Sequence, residues 1–132
     1  PHAEVLVVTT PQAAAADVAV RSGVVARQTG QSILGVIENM GALTLPDGTT
    51  LDLFGDGGGA AVAGALSSDD DDVPLLGSVP LSPALREGGD TGVPVVVGAP
   101  DDIASQTISR IAGEIVSTRR SLAGRSLPVS RA

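Results

Sequence analysis

The residues best suited to chemistry follow three apolar runs of this 132-residue chain, at positions 9–12, 38–41 and 80–83. Asn39 carries an amide donor and a carbonyl acceptor, the pair of groups needed to read the edge of a purine base. Pro80 and Leu81 offer an apolar wall and backbone groups beside such a base. The alternative for Asn39 is a turn residue, because Asn tolerates left-handed backbone and forms local hydrogen bonds.

Two further segments could bind an ion, but each also has a simpler structural interpretation. The glycine run at 55–59 could cradle a phosphate at a helix N-terminus, but it follows a hairpin, contains Asp56 and precedes no Lys. We therefore expect a flexible entry to the following Ala-rich helix. The four carboxylates at 69–72 lack the alternating ligands and Gly turn of a calcium loop, and are typical of a solvated acidic loop over 67–72.

Composition excludes several kinds of chemistry. All eight basic side chains are Arg, so no P-loop lysine or Schiff-base amine is present. The chain has no Cys, which removes disulfides, thiol nucleophiles and thiolate-held metal clusters. A net charge of −7 and a single aromatic ring, Phe54, argue against a nucleic-acid partner. No apolar run approaches the roughly 20 residues of a membrane span, so no membrane partner is expected.

Apolar runs at 4–9, 32–37 and 75–79 predict three strands buried on both faces. A helix between the first two is predicted to start with Thr10 as N-cap and Pro11 at its first position, and to end near Gln28. A hairpin is expected over residues 43–53, with a Pro-Asp-Gly turn, followed by a helix ending near Leu66.

After the third strand we expect a helical turn at 84–87 and an extended segment at 93–97. A last helix would be capped by Asp101 or Asp102 and end near residues 119–120. Strands alternating with helices predict an α/β fold, with a doubly wound and mostly parallel sheet. Three strands make a thin sheet, and residue 1 is not Met, so the chain is expected to be the C-terminal part of a larger domain. That part would cover residues 1–118, and a flexible Arg-containing tail would cover 119–132.

Taken together, five segments resemble the C-terminal half of the Mrp/ApbC family, the iron–sulfur cluster carrier ATPases of the MinD-like class of P-loop NTPases. They are V-V-T-T-P-Q at 7–12, G-V-I-E-N-M at 35–40, F-G-D-G-G-G at 54–59, P-L-L-G-S-V-P-L-S-P at 74–83 and R-E-G-G-D-T-G-V-P-V-V-V at 86–97. The resemblance implies a cytoplasmic homodimer that binds ATP with Mg²⁺ and delivers an iron–sulfur cluster to apoprotein clients. It implies adenine contacts for Asn39, Pro80 and Leu81.

The chain departs from the family pattern in two respects. The family's Lys-bearing P-loop precedes the matched region, so we expect this chain alone to be inactive as an ATPase. The positions of the family's C-x-x-C pair hold Leu45 and Gly48, neither of which ligates iron. Cluster binding therefore does not carry over to these residues. The rival hypothesis is a non-catalytic α/β interaction or scaffold module. The fragment hypothesis instead predicts an exposed apolar sheet edge at 4–9.

Overall fold

The computed structural model describes residues 3–122, with side chains described to residue 117. His2 and the part of the predicted tail from residue 123 onward lie outside the described residues. The elements in chain order are β1 Glu4–Thr9, α1 Ala13–Gln28, β2 Ser32–Gly41, β3 Leu43–Thr44, β4 Thr50–Leu51, α2 Gly58–Leu66, β5 Leu75–Pro80, α3 Pro83–Thr91, α4 Val95–Gly98 and α5 Ile103–Leu122. Strands β1, β2 and β5 form a parallel sheet in the order β1-β2-β5, and β3 pairs with β4 as a separate hairpin.

Two apolar cores lie on opposite faces of the sheet. Neighbouring residues Val36 and Ile37 of β2 point to opposite sides, so one belongs to each core. The first core joins α1 and α2 to the sheet through Val7, Ala16, Ala19, Ile33, Val36, Val62, Ala63, Leu66 and Val73. The second joins α5 to β5 through Val79, Ala104 and Ile111, with Ile37, Leu76, Leu85, Ile108 and Ile115 packed against it. Helices on both faces of a parallel sheet confirm the predicted fold class.

The predicted start of α1 was wrong. The helix begins at Ala13 with Gln12 as N-cap, and no side chain caps it. Thr10 and Pro11 instead form a loop whose carbonyl groups lie so close to Gly58 that a side chain there would collide with them. This contact with α2 holds the loop in a non-helical path that the local Thr-Pro pattern did not reveal.

Strand β2 is longer than predicted, because it continues through residues 38–41 instead of ending at residue 37. The extension forms because Gly41 pairs with Pro80 of β5. The expected extended segment at 93–97 was also wrong. Pro94 opens a short helix there, and its carbonyl accepts hydrogen bonds from the N–H groups of Val97 and Gly98 at 2.9 and 3.0 Å.

The remaining helices differ in length from the prediction. Helix α3 runs for nine residues and ends where Gly92 adopts a φ of +77°. Of the two candidate caps of α5, Asp102 is the one that accepts a hydrogen bond, from the N–H of Ala104 at 2.9 Å. Helix α5 continues to Leu122, beyond its predicted end. Within residues 3–122, no helix is both long and apolar enough to cross a membrane.

The acidic run is an ordered turn. Ser68 and Asp71 form an antiparallel bridge, and the Asp71 carboxylate lies 2.7 Å from the Arg27 guanidinium of α1. The Ser67 hydroxyl accepts a hydrogen bond from the N–H of Val73 at 3.0 Å and closes the loop ahead of β5. The carboxylates therefore face solvent on a loop whose ends are held by hydrogen bonds.

Candidate functional site

The three residues predicted to contact a base line one groove at the carboxyl edge of the sheet. Asn39 lies two residues before the end of β2, Pro80 is the last residue of β5, and Leu81 follows it. All three are half-buried, and the groove encloses about 470 Å³. Its other lining residues are Met40, Leu43, Ser82, Pro83, Leu85 and Arg86. The groove is mostly apolar, with Asn39, Ser82 and Arg86 as its polar side chains.

Asn39 is held by a local hydrogen bond. Its Oδ1 accepts from the backbone N–H of Met40 at 2.9 Å, and Met40 has a φ of +59°. The turn-like behaviour that was the alternative for Asn39 is thus present in the structure. The amide still has a free donor, because Nδ2 makes no hydrogen bond within the described residues, and Asn39 is one of the residues that line the groove. A ligand in the groove would therefore meet a side-chain donor at this position.

The segment that carries Pro80 and Leu81 is anchored at both ends. The N–H of Leu81 donates to the carbonyl of Gly41 at 3.3 Å, which ties the segment to β2. Ser82 is the N-cap of α3, since its hydroxyl accepts from the N–H of Leu85 at 3.1 Å. The same hydroxyl donates to the carboxylate of Asp102 at 2.9 Å. The apolar wall is therefore fixed relative to β2, α3 and the start of α5.

Glu38 is a site-adjacent residue whose role the sequence did not reveal. It is only 7% exposed, and both of its carboxylate oxygens accept hydrogen bonds. The N–H of Gly59 donates to Oε2 at 2.7 Å, and the hydroxyl of Ser78 donates to Oε1 at 2.7 Å. The one signal in the sequence was a carboxylate directly after a strand buried on both faces, since such a group must find donors.

The glycine run forms the entry to α2, as expected from the sequence. Gly57 is the N-cap, with a φ of +76°, and both Gly58 and Gly59 are buried. A Cβ on Gly59 would lie 2.7 Å from the Cβ of Glu38, so the glycine permits a close approach. The N–H of Gly59 is already bonded to the Glu38 carboxylate. This helix N-terminus thus has an internal anion as its partner.

The hairpin turn at residues 45–48, where the resemblance would place a cysteine pair, is closed by hydrogen bonds. The N–H of Gly48 donates to the carbonyl of Leu45 at 2.9 Å, and the N–H of Leu45 donates to the carbonyl of Thr49 at 2.8 Å. Asp47 accepts from the backbone N–H of Thr49 at 2.9 Å. That bond, supported by the Thr49 hydroxyl, lowers the pKa of Asp47 below 3.8. The turn contains no thiolate, and residues 3–122 contain no group of three His, Cys, Asp or Glu residues that could hold a metal.

One family model and several known proteins are similar to this chain over most of its length. Residues 1–116 match the family described as ParA, the NUBPL iron-transfer P-loop NTPases. An iron–sulfur cluster carrier protein of Mycobacterium bovis is 56% identical over 128 residues, covering 96% of this chain and 34% of the relative. One from Synechocystis is 42% identical over 117 residues, covering 87% of this chain and 32% of the relative. The human cytosolic Fe-S cluster assembly factor NUBP2 is 37% identical over 112 residues, covering 84% and 40%.

Two solved structures share the fold. The septum site-determining protein MinD of Pyrococcus horikoshii, complexed with Mg-ADP, superposes with a TM-score of 0.68 at 26% identity, covering 92% of this chain and 44% of that one. The cell division ATPase MinD of Pyrococcus furiosus gives 0.66 at 28% identity, covering 87% and 43%. The chain has part of a P-loop NTPase fold, as predicted. It spans about one third of the length of the bacterial relatives.

Proposed function

Because the chain belongs to the ParA family of NUBPL-type iron-transfer P-loop NTPases, we propose that it supplies the base-binding side of an ATP site. In this proposal the Asn39 amide contacts the edge of adenine, and Pro80 and Leu81 pack beside the ring. The observation that carries the proposal is that these residues come from the ends of two neighbouring parallel strands and line one groove. Open parallel sheets bind ligands at this edge.

The dimensions and chemistry of the groove support a base as its occupant. Its volume of about 470 Å³ lies within the range of small-molecule sites, about 300–1,000 Å³. The walls are apolar, and the convergent polar groups are few, as is usual where a flat aromatic ring is bound. Among the residues that the structure describes, no Asp or Glu lines the groove. The MinD relative from P. horikoshii is a complex with Mg-ADP, which supports an adenine nucleotide as the ligand.

We propose that the phosphates and Mg²⁺ are held by other parts of the whole protein. This chain has no Lys for a P-loop, and its described residues form no group that could hold a metal. The chain corresponds to about a third of its bacterial relatives, so hydrolysis is proposed for the whole protein only. On this proposal the chain is the C-terminal part of the ATPase domain, over residues 1–118, and contributes to a homodimer surface.

Iron–sulfur cluster transport is the function named for the bacterial relatives. We propose that the whole protein acts in the same process in the cytoplasm, the compartment named for the human relative, and that it serves apoprotein clients. The residues of this chain do not fit a thiolate-bound cluster, since the chain has no Cys and positions 45 and 48 are Leu and Gly. Any cluster carried as cargo would need ligands elsewhere.

The proposal is tested by titrating the whole protein with ATP and Mg²⁺ in a calorimeter. Replacement of Asn39 by Ala should weaken ATP binding about 2- to 10-fold, the effect of losing one hydrogen bond worth about 0.5–1.5 kcal/mol. The matched control is Gln31→Ala, which removes a side-chain amide next to the opposite end of β2 and should leave the affinity unchanged. Equal effects of the two substitutions would contradict the role of Asn39. A whole protein that does not bind ATP would favour the scaffold hypothesis.

A further inference from the structure

The buried carboxylate of Glu38 connects three elements at the edge of the sheet that carries the groove. It belongs to β2, its Oε2 accepts from α2 through the N–H of Gly59, and its Oε1 accepts from β5 through the hydroxyl of Ser78. Burial of a carboxylate is unfavourable unless donors replace the lost water, and hydrogen bonds to a charged acceptor are the stronger kind. The two bonds therefore restrain the position of Glu38 tightly.

The bond to Gly59 also closes the base of the hairpin excursion. The chain leaves the sheet after β2, forms β3 and β4, and returns at the N-terminus of α2. Gly59 can approach Glu38 only because it has no side chain, since a Cβ would lie 2.7 Å from the Cβ of Glu38 and 2.9 Å from Cδ1 of Leu75. Glu38, three residues before the end of β2, is thus held against the end of the excursion.

The bond to Ser78 adds a side-chain link between the two strands that carry the groove, which already pair through their backbones at Glu38 and Ser78. Ser78 precedes Pro80 by two residues on β5, and Asn39 follows Glu38 directly on β2. Gly41, near the end of β2, approaches Ser78 so closely that a side chain there would collide with its hydroxyl. The hydrogen bond between Glu38 and Ser78 therefore joins the strand that carries the amide to the strand that carries the apolar wall.

We propose that Glu38 is a positioning residue: through the backbone of β2 it sets the orientation of the Asn39 amide relative to Pro80 and Leu81. The inference rests on the proposed nucleotide site. Met40, on the other side of Asn39, has a φ of +59°, a conformation that is unfavourable for residues other than Gly. Such a backbone requires restraint from its surroundings. The Glu38 bonds supply it before Asn39, and the pairing of Gly41 with Pro80 supplies it after Met40.

The test measures how much the base contributes to binding by the whole protein. The dissociation constant for ribose 5′-triphosphate, which lacks the base, is divided by the constant for ATP. Glu38→Ala should lower this ratio by about as much as Asn39→Ala does. Glu38→Gln should keep it, because the amide oxygen can accept from Gly59 and the amide nitrogen can donate to Ser78. In the double variant, Glu38→Ala should cause no further loss once Asn39 is Ala, since coupled residues are not additive.

Two other variants separate positioning from general stability. Ser78→Ala removes one of the two bonds and should give an intermediate ratio; this variant carries the test if Glu38→Ala does not fold. Ser67→Ala removes a hydroxyl that bonds Val73 away from the groove, and should leave the ratio unchanged even where it lowers stability. This inference alone is overturned if the ratio is reduced in Asn39→Ala but normal in folded Glu38→Ala. If Glu38→Ala does not fold, a normal ratio in Ser78→Ala has the same consequence. A wild-type protein with no preference for ATP over ribose 5′-triphosphate overturns the proposed site and this inference with it.

Discussion

The contact between α1 and α2 gives a quantitative test of the packing on one face of the sheet. Leu66 of α2 is 1% exposed, and its two methyl groups fill the space above Gly23 of α1. A Cβ on Gly23 would lie 2.7 Å from both methyl carbons and 3.3 Å from Cδ1 of Ile33. The side chain of Leu66 thus occupies the volume that an Ala at position 23 would need, and the two positions should be energetically coupled.

The expected magnitudes follow from this geometry. Leu66→Ala leaves a cavity in the core and should lower the free energy of unfolding by about 3–5 kcal/mol. Gly23→Ala gains about 1 kcal/mol of helix propensity but meets overpacking of about 1–3 kcal/mol, so alone it should be destabilising by about 0–2 kcal/mol. When Leu66 is already Ala, the collision with its methyl groups is gone, and only the 3.3 Å approach to Cδ1 of Ile33 remains. Gly23→Ala should then stabilise the protein by about 1–2 kcal/mol, from helix propensity and partial filling of the cavity.

Urea unfolding of the wild type, Gly23→Ala, Leu66→Ala and the double variant measures the coupling energy between positions 23 and 66. Circular dichroism is the suitable signal, because this chain contains no Trp or Tyr. The control is Gly113→Ala in α5, where a Cβ meets nothing within 4 Å. It should stabilise the protein by about 0.5–1 kcal/mol whether residue 66 is Leu or Ala. Additive effects of Gly23→Ala and Leu66→Ala would refute the packing argument, as would a destabilising Gly23→Ala when residue 66 is Ala.

Two further predictions concern the sheet edge and the hairpin. Within the described residues β1 is an edge strand with Val8 59% exposed, so the separately produced chain should self-associate there. Val8→Lys should shift its sedimentation coefficient toward the monomer, whereas Val25→Lys, at a 57% exposed position of α1, should not; equal behaviour of the two contradicts association through β1. Asp47 should titrate below its ordinary pKa of 3.8 because it accepts the N–H of Thr49. Its stabilisation of the turn is present above pH 3.8 and is lost as the pH falls through the lowered pKa, and an NMR titration midpoint at or above 3.8 would contradict this.

Much of the fold could be predicted because local patterns determine it. The three strands of the parallel sheet contain apolar runs of chiefly Val, Ile and Leu, and their alternation with helices predicts a parallel sheet. The errors lie where distant contacts prevail over local pattern. Strand β2 continues to Gly41 because Pro80 of β5 pairs with it, and the loop at residues 10–11 follows the surface of α2 instead of starting a helix. The valine run at Val95–Gly98 is an exception with a local cause, because it is helical where the adjacent Pro94 begins a turn.

The candidate site was predictable to a similar extent. Asn39, Pro80 and Leu81 were expected to lie together because the carboxyl ends of parallel strands meet at one edge, and the structure places them in one groove. The bonds of Glu38 could not be predicted, because its partners lie 21 and 40 residues away in the chain. The glycine run was visible in the sequence. Its need for glycine at position 59 was not, because that need arises from the close approach of Gly59 to Glu38.

The structure also explains how the hairpin forms without the cysteine pair that the resemblance to the Mrp/ApbC family would place in it. Its turn is closed by hydrogen bonds among residues 45–49, and its base is closed by the bond between Glu38 and Gly59. Neither set of bonds needs a thiolate or a metal. The presence of this hairpin is therefore no indication that a cluster binds to it. The bond at its base is made by Glu38, the residue before Asn39 in the chain, so it lies beside the proposed nucleotide groove. The hairpin is thus tied by hydrogen bonding to the carboxyl edge of the sheet.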